Sequence, residues 1–420
     1  MMKNKYDICI IGAGASGLMC AIEAAEHGVR SLVLEAGPKP GRKLLAAGSG
    51  RCNLAHAGSI ESYLEGFDTK AARFLKPSAY LLSPEKTMDF FESLHVPLKT
   101  ERGFRVFPQS DKSLDVLEAL LKKTVNTGVI FKTSGKVLSV KKQSQLFEIK
   151  TVSDLYISKT VIIATGGLSM KRTGSTGDGY RIAKTFGHTV TGLRASLVPL
   201  ITKESWPGEV SGRSLKNVKL KAVVDSKRFE RFGEMSFTDN GIGGPITLEM
   251  SRFVTDKLLD NSEPVRFEID LKPALDEKKL DARLMREIES SPSRDFIGIL
   301  HTLVPSWFAD VLVRHFGFNP AVKVSHITKN DRFRLRNLLK AIPLTVLKTA
   351  PIEQALITRG GISLSEIDPH TMMSKLSPGL YFAGEIIDVD GDCGGYNLQM
   401  CWSTGKLAGK SAAESLKHSV

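Results

Sequence analysis

The chain has 420 residues, 42% of them hydrophobic and 25% charged, which supplies a sizeable core and excludes a disordered or collagen-like polymer. Its cysteines (Cys9, Cys20, Cys52, Cys393 and Cys401) form no C-x-x-C pair, which excludes a disulfide scaffold and argues against structural zinc. The 58 Lys and Arg against 45 Asp and Glu leave a formal charge of +13, suited to nucleic acid, anionic lipid or an anionic cofactor without choosing among them.

Residues 6–11 (YDICII) read as a buried strand, Gly12 opens a turn, residues 15–27 have helical spacing, and Gly28 stands where a helix C-terminal cap belongs. Residues 31–34 form a second strand ending at Glu35, so the first 36 residues read as a β-α-β unit. Lys3 and Lys5 ahead of the apolar run 8–22 superficially resemble a signal peptide. That run carries Gly12, Gly14 and Gly17 and falls short of the roughly 20 residues needed to span a bilayer, so the expected location is cytoplasmic, without membrane association.

Gly and Ser crowd residues 37–58, where GRKLLAAGSGRCN is too specific for a linker. Helical patterns follow at 84–94 and 113–126, alternating strands at 135–149, and a buried strand at 160–164 runs into Thr165-Gly166-Gly167. From about residue 199 the pattern changes. Residues 215–224 and 265–271 alternate polar and apolar, predicting half-exposed antiparallel strands of a second domain. Residues 273–347 turn helical; there Lys329, Arg332, Arg334, Arg336 and Lys340 interleave with Phe333, Leu335, Leu338 and Leu339, the spacing of an amphipathic helix with a solvated face. Strands return near 352, and 379–385 opens a final strand-loop-helix.

The G-x-G-x-x-G at Gly12, Gly14 and Gly17 lies between a strand and a helix. Its glycines permit the turn, the approach of a pyrophosphate and close helix–strand packing, and the helix N-terminus offers free N–H donors to that anion. Glu35, 23 residues after Gly12, is placed to bond a free ribose 2′-OH, so FAD or NAD fits better than NADP. Two later segments point to a flavin: Thr165-Gly166-Gly167 after its strand, and GLYFAGEIIDVDGDCGGYNLQ at 379–399, where a helix start near Asn397 could favour negative charge on a reduced flavin ring. A metal loop of Asp388, Asp390 and Asp392 is discounted because no bidentate acid follows. No second G-x-G-x-x-G exists, since 174–179 has the wrong spacing, and no G-x-S-x-G elbow or Walker A sequence occurs.

Together, IIGAGASGLM, GRKLLAAGSGRCN, RVFP, ATGGLS, TGSTGDGY and the 379–399 segment resemble the aminoacetone-oxidase-like FAD-binding flavoproteins of bacteria, close to the dehydro-bile-acid reductase-like flavoproteins. The resemblance covers essentially the whole chain. It implies an α/β fold: a Rossmann-like FAD-binding domain built from both chain ends (1–198 and 350–420), an inserted β-rich domain (199–272 with part of 341–349), and a helical subdomain (273–340). Carried over, the segment Gly12, Ala13, Gly14, Ala15, Ser16 and Gly17 would hold the pyrophosphate, and Glu35 with Ala36 the adenosine ribose. Arg42 and Lys43 would lie on the adenosine or phosphate side. Gly50, Arg51, Cys52 and Asn53 would lie by the flavin, Val137 by the adenine, and Thr165 with Gly166 along the cofactor. Gly384, Glu385, Asn397 and Leu398 would close over the ribityl chain and ring. The sequence departs from the family at Arg359, where a small residue is usual, and at Gly243, where Ser is commoner. Cys52 is read as a packing residue beside the flavin, because no partner cysteine is spaced for a relay.

The expected function is a FAD-dependent oxidoreductase of amine-oxidase or ene-reductase type. It would hold FAD noncovalently and act on a small organic substrate bound between the FAD domain and the insert. Oxygen would reoxidise it, or NAD(P)H would serve as a transient reductant. The competing expectation is a flavoprotein that binds tRNA or another nucleic acid through its basic surface, for which no RRM, KH or helix-turn-helix signature speaks. No catalytic residue, metal ligand or oligomeric state is assigned.

Overall fold

The computed structural model describes residues 4–260, 263–290 and 292–417; Lys3 of the N-terminal charge pattern lies outside them. The chain divides into two compact units. One joins residues 1–195 to 355–420, and the other is the continuous stretch 196–354.

The first unit is organised by a seven-stranded sheet. Its parallel part runs Ile130–Lys132, Ser31–Leu34, Lys5–Ile11, Leu155–Ile163. These strands carry Ile, Val and Leu in succession because both faces are covered, and Ile8, Ile10, Leu32, Val33, Val161 and Ile162 are fully buried. The long strand Leu155–Ile163 serves two partners. Its beginning pairs antiparallel with Leu146–Thr151, which continues to the edge strand Val137–Gln143, while its end pairs in parallel with Leu380–Phe382 from the far end of the chain. The expected use of both chain ends in one sheet is therefore observed.

The first helix, Ala15–Glu26, ends with Gly28 at φ +79°, as the cap position predicts. It packs against the C-terminal helix Tyr396–Lys417 along a seam of small residues. A Cβ added at Gly405 would come within 2.6 Å of the Ser16 carbonyl oxygen, and one at Gly409 within 2.5 Å of the Cys20 carbonyl oxygen.

The second unit holds a closed antiparallel barrel: Leu200–Thr202, Gly241–Gly243, Lys227–Thr238, Ser214–Val224, Val265–Asp270 and Ile342–Thr349, which pairs back to the first strand. Closure removes the unpaired edges that the alternating pattern alone would leave. Leu220, Met235, Phe267, Ile269 and Val346 fill its core, and the helix Pro245–Asp260 packs along its strands. Four more helices follow between Glu277 and Lys340; the last, Lys329–Lys340, starts in a capping box of Thr328 and Asp331. No helix among the described residues is long and apolar enough to cross a membrane.

Candidate functional site

The first strand ends in Gly12 at φ +104°, where an added Cβ would fall 2.5 Å from the Ala164 carbonyl oxygen of the neighbouring strand. One turn on, a Cβ at Gly17 would fall 1.9 Å from the Gly12 carbonyl oxygen, so only glycine lets the helix rest on the strand. Gly14 is the contrast: a Cβ there meets nothing within 4 Å. It is also the N-cap of the first helix, and no side chain caps that end. The N–H groups of the first turn therefore face an open space, a ready site for an anion.

Glu35 ends the second strand with both carboxylate oxygens fixed. The Ala13 N–H donates to one at 2.9 Å and the Gly37 N–H to the other at 2.7 Å. Each oxygen keeps a lone pair free for a hydroxyl. Ala36 is exposed beside it, Ala13 and Ser16 are buried, and the Ser16 hydroxyl donates to the Ala383 carbonyl at 3.3 Å.

The GSGRCN loop is conformationally unusual. Gly48, Ser49, Gly50 and Cys52 have φ of +58°, +57°, +86° and +62°. Two of these are not glycine, and such backbone persists only where its surroundings over-determine it, a pattern concentrated at functional sites. Within it Cys52 is fully buried, and burial pushes its thiol up to about 12, which makes it a packed and unreactive group. Asn53 follows with a buried Oδ1 that has no hydrogen-bond partner. The Thr165 hydroxyl is likewise buried and unpartnered, and its Cα lies 3.1 Å from a Cβ built on Gly12. Buried polar atoms are seldom left without a partner; among the described residues His56 Nδ1, Tyr63 Oη, Thr247 Oγ1 and Gln399 Oε1 share this state, but only Asn53 and Thr165 stand in the motifs expected at the cofactor.

Several of the expected cofactor residues also engage other groups of the protein. The Lys43 ammonium binds the Glu385 carboxylate at 2.5 Å and the Ser169 hydroxyl at 2.7 Å. Glu385, expected with Gly384, Asn397 and Leu398 to close over the ribityl chain and ring, also accepts the Ser169 hydroxyl and the Thr358 N–H, each at 2.8 Å. Arg42 donates to the Arg172 carbonyl. Arg51 stacks over Phe107 at 4.1 Å and is bound by Glu101 and Asp111, so its guanidinium is committed to that cluster. The Asn397 side chain ties down its own loop: Oδ1 accepts the Gly391 N–H, and Nδ2 donates to the Gly391 and Asp392 carbonyls. Leu398 is half-buried and packs against the core, and Val137 is buried on the edge strand. Gly166 and Gly384 sit at positive φ of +70° and +77°, and Gly50 has open space beside it.

Sequence reasoning passed over four participants. Ser169 and Thr358 complete the Glu385 cluster across 189 positions of chain, where the Thr358 hydroxyl accepts both the Leu168 and the Ser169 N–H. His56 and Tyr396 stack at 4.4 Å with the Tyr396 hydroxyl 3.3 Å from His56 Nε2, and burial holds the imidazole below its ordinary pKa. The visible signals were the ATGGLS motif for Ser169 and the GGYNLQ end of the 379–399 segment for Tyr396; nothing local marked Thr358 or His56. No cluster of metal-ligating side chains occurs among the described residues.

The free N–H groups at Gly14, the doubly oriented Glu35 and the unpartnered Asn53 and Thr165 atoms form a donor and acceptor set that fits a dinucleotide with a polar ring system, such as FAD.

Comparison with known proteins agrees. Residues 6–411 match the family model described as the HI0933-like protein Rossmann domain. The 3-dehydro-bile acid delta(4,6)-reductase of Clostridium scindens is 32% identical, with 97% of this chain and 99% of that protein covered. The ribosomal RNA dihydrouridine synthase of Escherichia coli is 29% identical, with 96% of each covered. Among solved structures, the 3-ketosteroid delta1-dehydrogenase of Sterolibacterium denitrificans shares the fold at a TM-score of 0.52 and 13% identity, covering 98% of this chain and 100% of that one. Fold, site and whole-length similarity together place the chain in the HI0933-like family of Rossmann-type, FAD-binding flavoprotein oxidoreductases.

Proposed function

We propose that the protein is a reductase that holds FAD noncovalently and adds hydrogen across a carbon–carbon double bond conjugated to a carbonyl. The observation that carries this reading is that the two whole-length relatives named above, a delta(4,6)-reductase and a dihydrouridine synthase, both have names denoting saturation of such a bond. When bound, FAD supplies the hydride. The chain's own groups supply position. The N–H groups after Gly14 hold the pyrophosphate, Glu35 takes the ribose hydroxyls on its free lone pairs, and Asn53 and Thr165 satisfy their buried atoms on the cofactor. Cys52 and Leu398 exclude water by packing.

Two substrate classes fit: a small enone, and a uracil ring within RNA. The second is favoured by the +13 charge, because phosphate attraction is the sequence-independent part of RNA binding. Acid denaturation of the purified yellow protein should release FAD. Anaerobic bleaching with NADH or NADPH, followed by recolouring on addition of a steroid enone or a uridine-containing RNA, would support the reductase. Bleaching by an amine and recolouring only in air would instead identify an amine oxidase and overturn it.

A further inference from the structure

We propose that the exposed face of the helix Thr69–Leu81 is a binding surface for the phosphate backbone of single-stranded RNA, which rests on the RNA reading of the substrate given above. Lys70, Arg73 and Lys76 stand exposed along one face of that helix, and Tyr80, 49% exposed, completes the stripe. The opposite face buries Ala71, Phe74, Leu75, Ser78 and Ala79 and packs on the C-terminal helix. Lys86, from the next helix, Pro84–Ser93, brings its ammonium to 3.3 Å from the Tyr80 carbonyl, and the Lys76 ammonium lies 6.0 Å from the centre of the Tyr80 ring.

None of these four cations forms an ion pair among the described residues, and Lys70 lies within electrostatic reach of the Asp388 carboxyl. Glu61 accepts the Tyr80 hydroxyl and lies within electrostatic reach of Lys76. The stripe also begins at the candidate site. Phe67, just before the helix, packs edge-on against Tyr396 at 6.1 Å, and a Cβ at Gly391 would fall 2.6 Å from its ring. Unpaired cations in a row, with an exposed aromatic ring on which a base can stack, are what a single strand requires. An anionic membrane would instead select large apolar residues beside the cations, and the stripe offers only Tyr80.

The test uses FAD-loaded protein and the fluorescence anisotropy of a labelled single-stranded RNA across a salt series. With Lys70→Gln, Arg73→Gln and Lys76→Gln combined, FAD content should match the parent, while the slope of log affinity against log salt should shrink by about 2, at roughly 0.7 per phosphate contact. Tyr80→Ala should weaken binding about tenfold with the slope unchanged. If the parent binds RNA and the triple variant shows the same slope and affinity, the surface lies elsewhere and the RNA reading survives. A parent that binds no RNA at low salt removes both. Binding of phosphatidylserine vesicles that depends on the three cations, without RNA binding, makes this face a membrane surface and overturns the proposal.

Discussion

The fingerprint loop and the Glu385 cluster lie in the same unit and both are rich in polar groups, but they resolve those groups in opposite ways. At Glu385 a carboxylate, an ammonium, a hydroxyl and a backbone N–H partner one another. Around Gly14 the backbone leaves open space at an uncapped helix start, and in the neighbouring loops the buried Asn53 oxygen and Thr165 hydroxyl have no partner. The lesson is that motif residues divide by what remains unsatisfied: Lys43 and Glu385 are partnered by the protein, whereas the buried Asn53 oxygen and Thr165 hydroxyl are not.

The largest expected effect comes from closing the contact beneath the fingerprint. Gly17→Val would drive a side chain into the Gly12 carbonyl, and should cost about 3 kcal/mol or more and abolish FAD retention, as read by thermal unfolding and flavin content. Glu385→Gln leaves the Lys43 ammonium facing a neutral partner, and should cost about 2–3 kcal/mol, moderated because Lys43 is a quarter exposed. Adding Lys43→Met to it should recover part of that loss in denaturant melts; if the two changes simply add, the pair is not acting as a pair.

Thr165→Val sharpens the comparison from the other side. Removing an unpartnered buried hydroxyl should leave the flavin-free protein as stable as the parent or more so, and weaken FAD binding about fivefold, the equivalent of one hydrogen bond. A destabilised flavin-free protein with unchanged FAD affinity would move Thr165 into the group partnered by the protein.

The smallest effect belongs to a third polar cluster. The buried His188 receives the Ser374 hydroxyl at Nε2, because that oxygen already accepts the Leu376 and Ser377 N–H groups, and so Nδ1 carries the proton donated to Glu366. Burial lowers the His188 pKa in spite of Glu366, so the unfolded chain binds the proton more readily. Stability from this site is therefore present above the unfolded value of 6.5 and is lost as pH falls below it toward the folded value. Glu366, held below the ordinary carboxylate range, adds a loss in the same direction at lower pH. Denaturant midpoints of the parent should drop from pH 7.5 to pH 5.5 more than those of His188→Gln; parallel curves would contradict this assignment.

Much of this architecture was legible because it depends on neighbours in sequence. Gly12, Gly14, Gly17 and Glu35 sit within one β-α-β unit whose strands and helix announce themselves by periodicity. The helix Ser113–Asn126 and the start of the C-terminal helix after Gly395 were equally local. What escaped were the long-range closures. The barrel depends on the strands Leu200–Thr202 and Gly241–Gly243, too short for any alternation to register. The roles of Lys43, Arg51 and Asn397 were set by partners such as Ser169, Glu101 and Gly391, and a motif names a residue without naming what its side chain will reach.

The seam of small residues between the first and last helices has a consequence for biosynthesis. The Ala383 carbonyl that takes the Ser16 hydroxyl, and the Gly405 and Gly409 surfaces on which the first helix lies, are synthesised only after the whole of the stretch 196–354. The stretch 196–354, by contrast, is continuous and has its own apolar core, so it can fold while the chain is still being made. The cofactor cradle, begun at Gly12, Gly14 and Gly17, is therefore completed only after that stretch has been made.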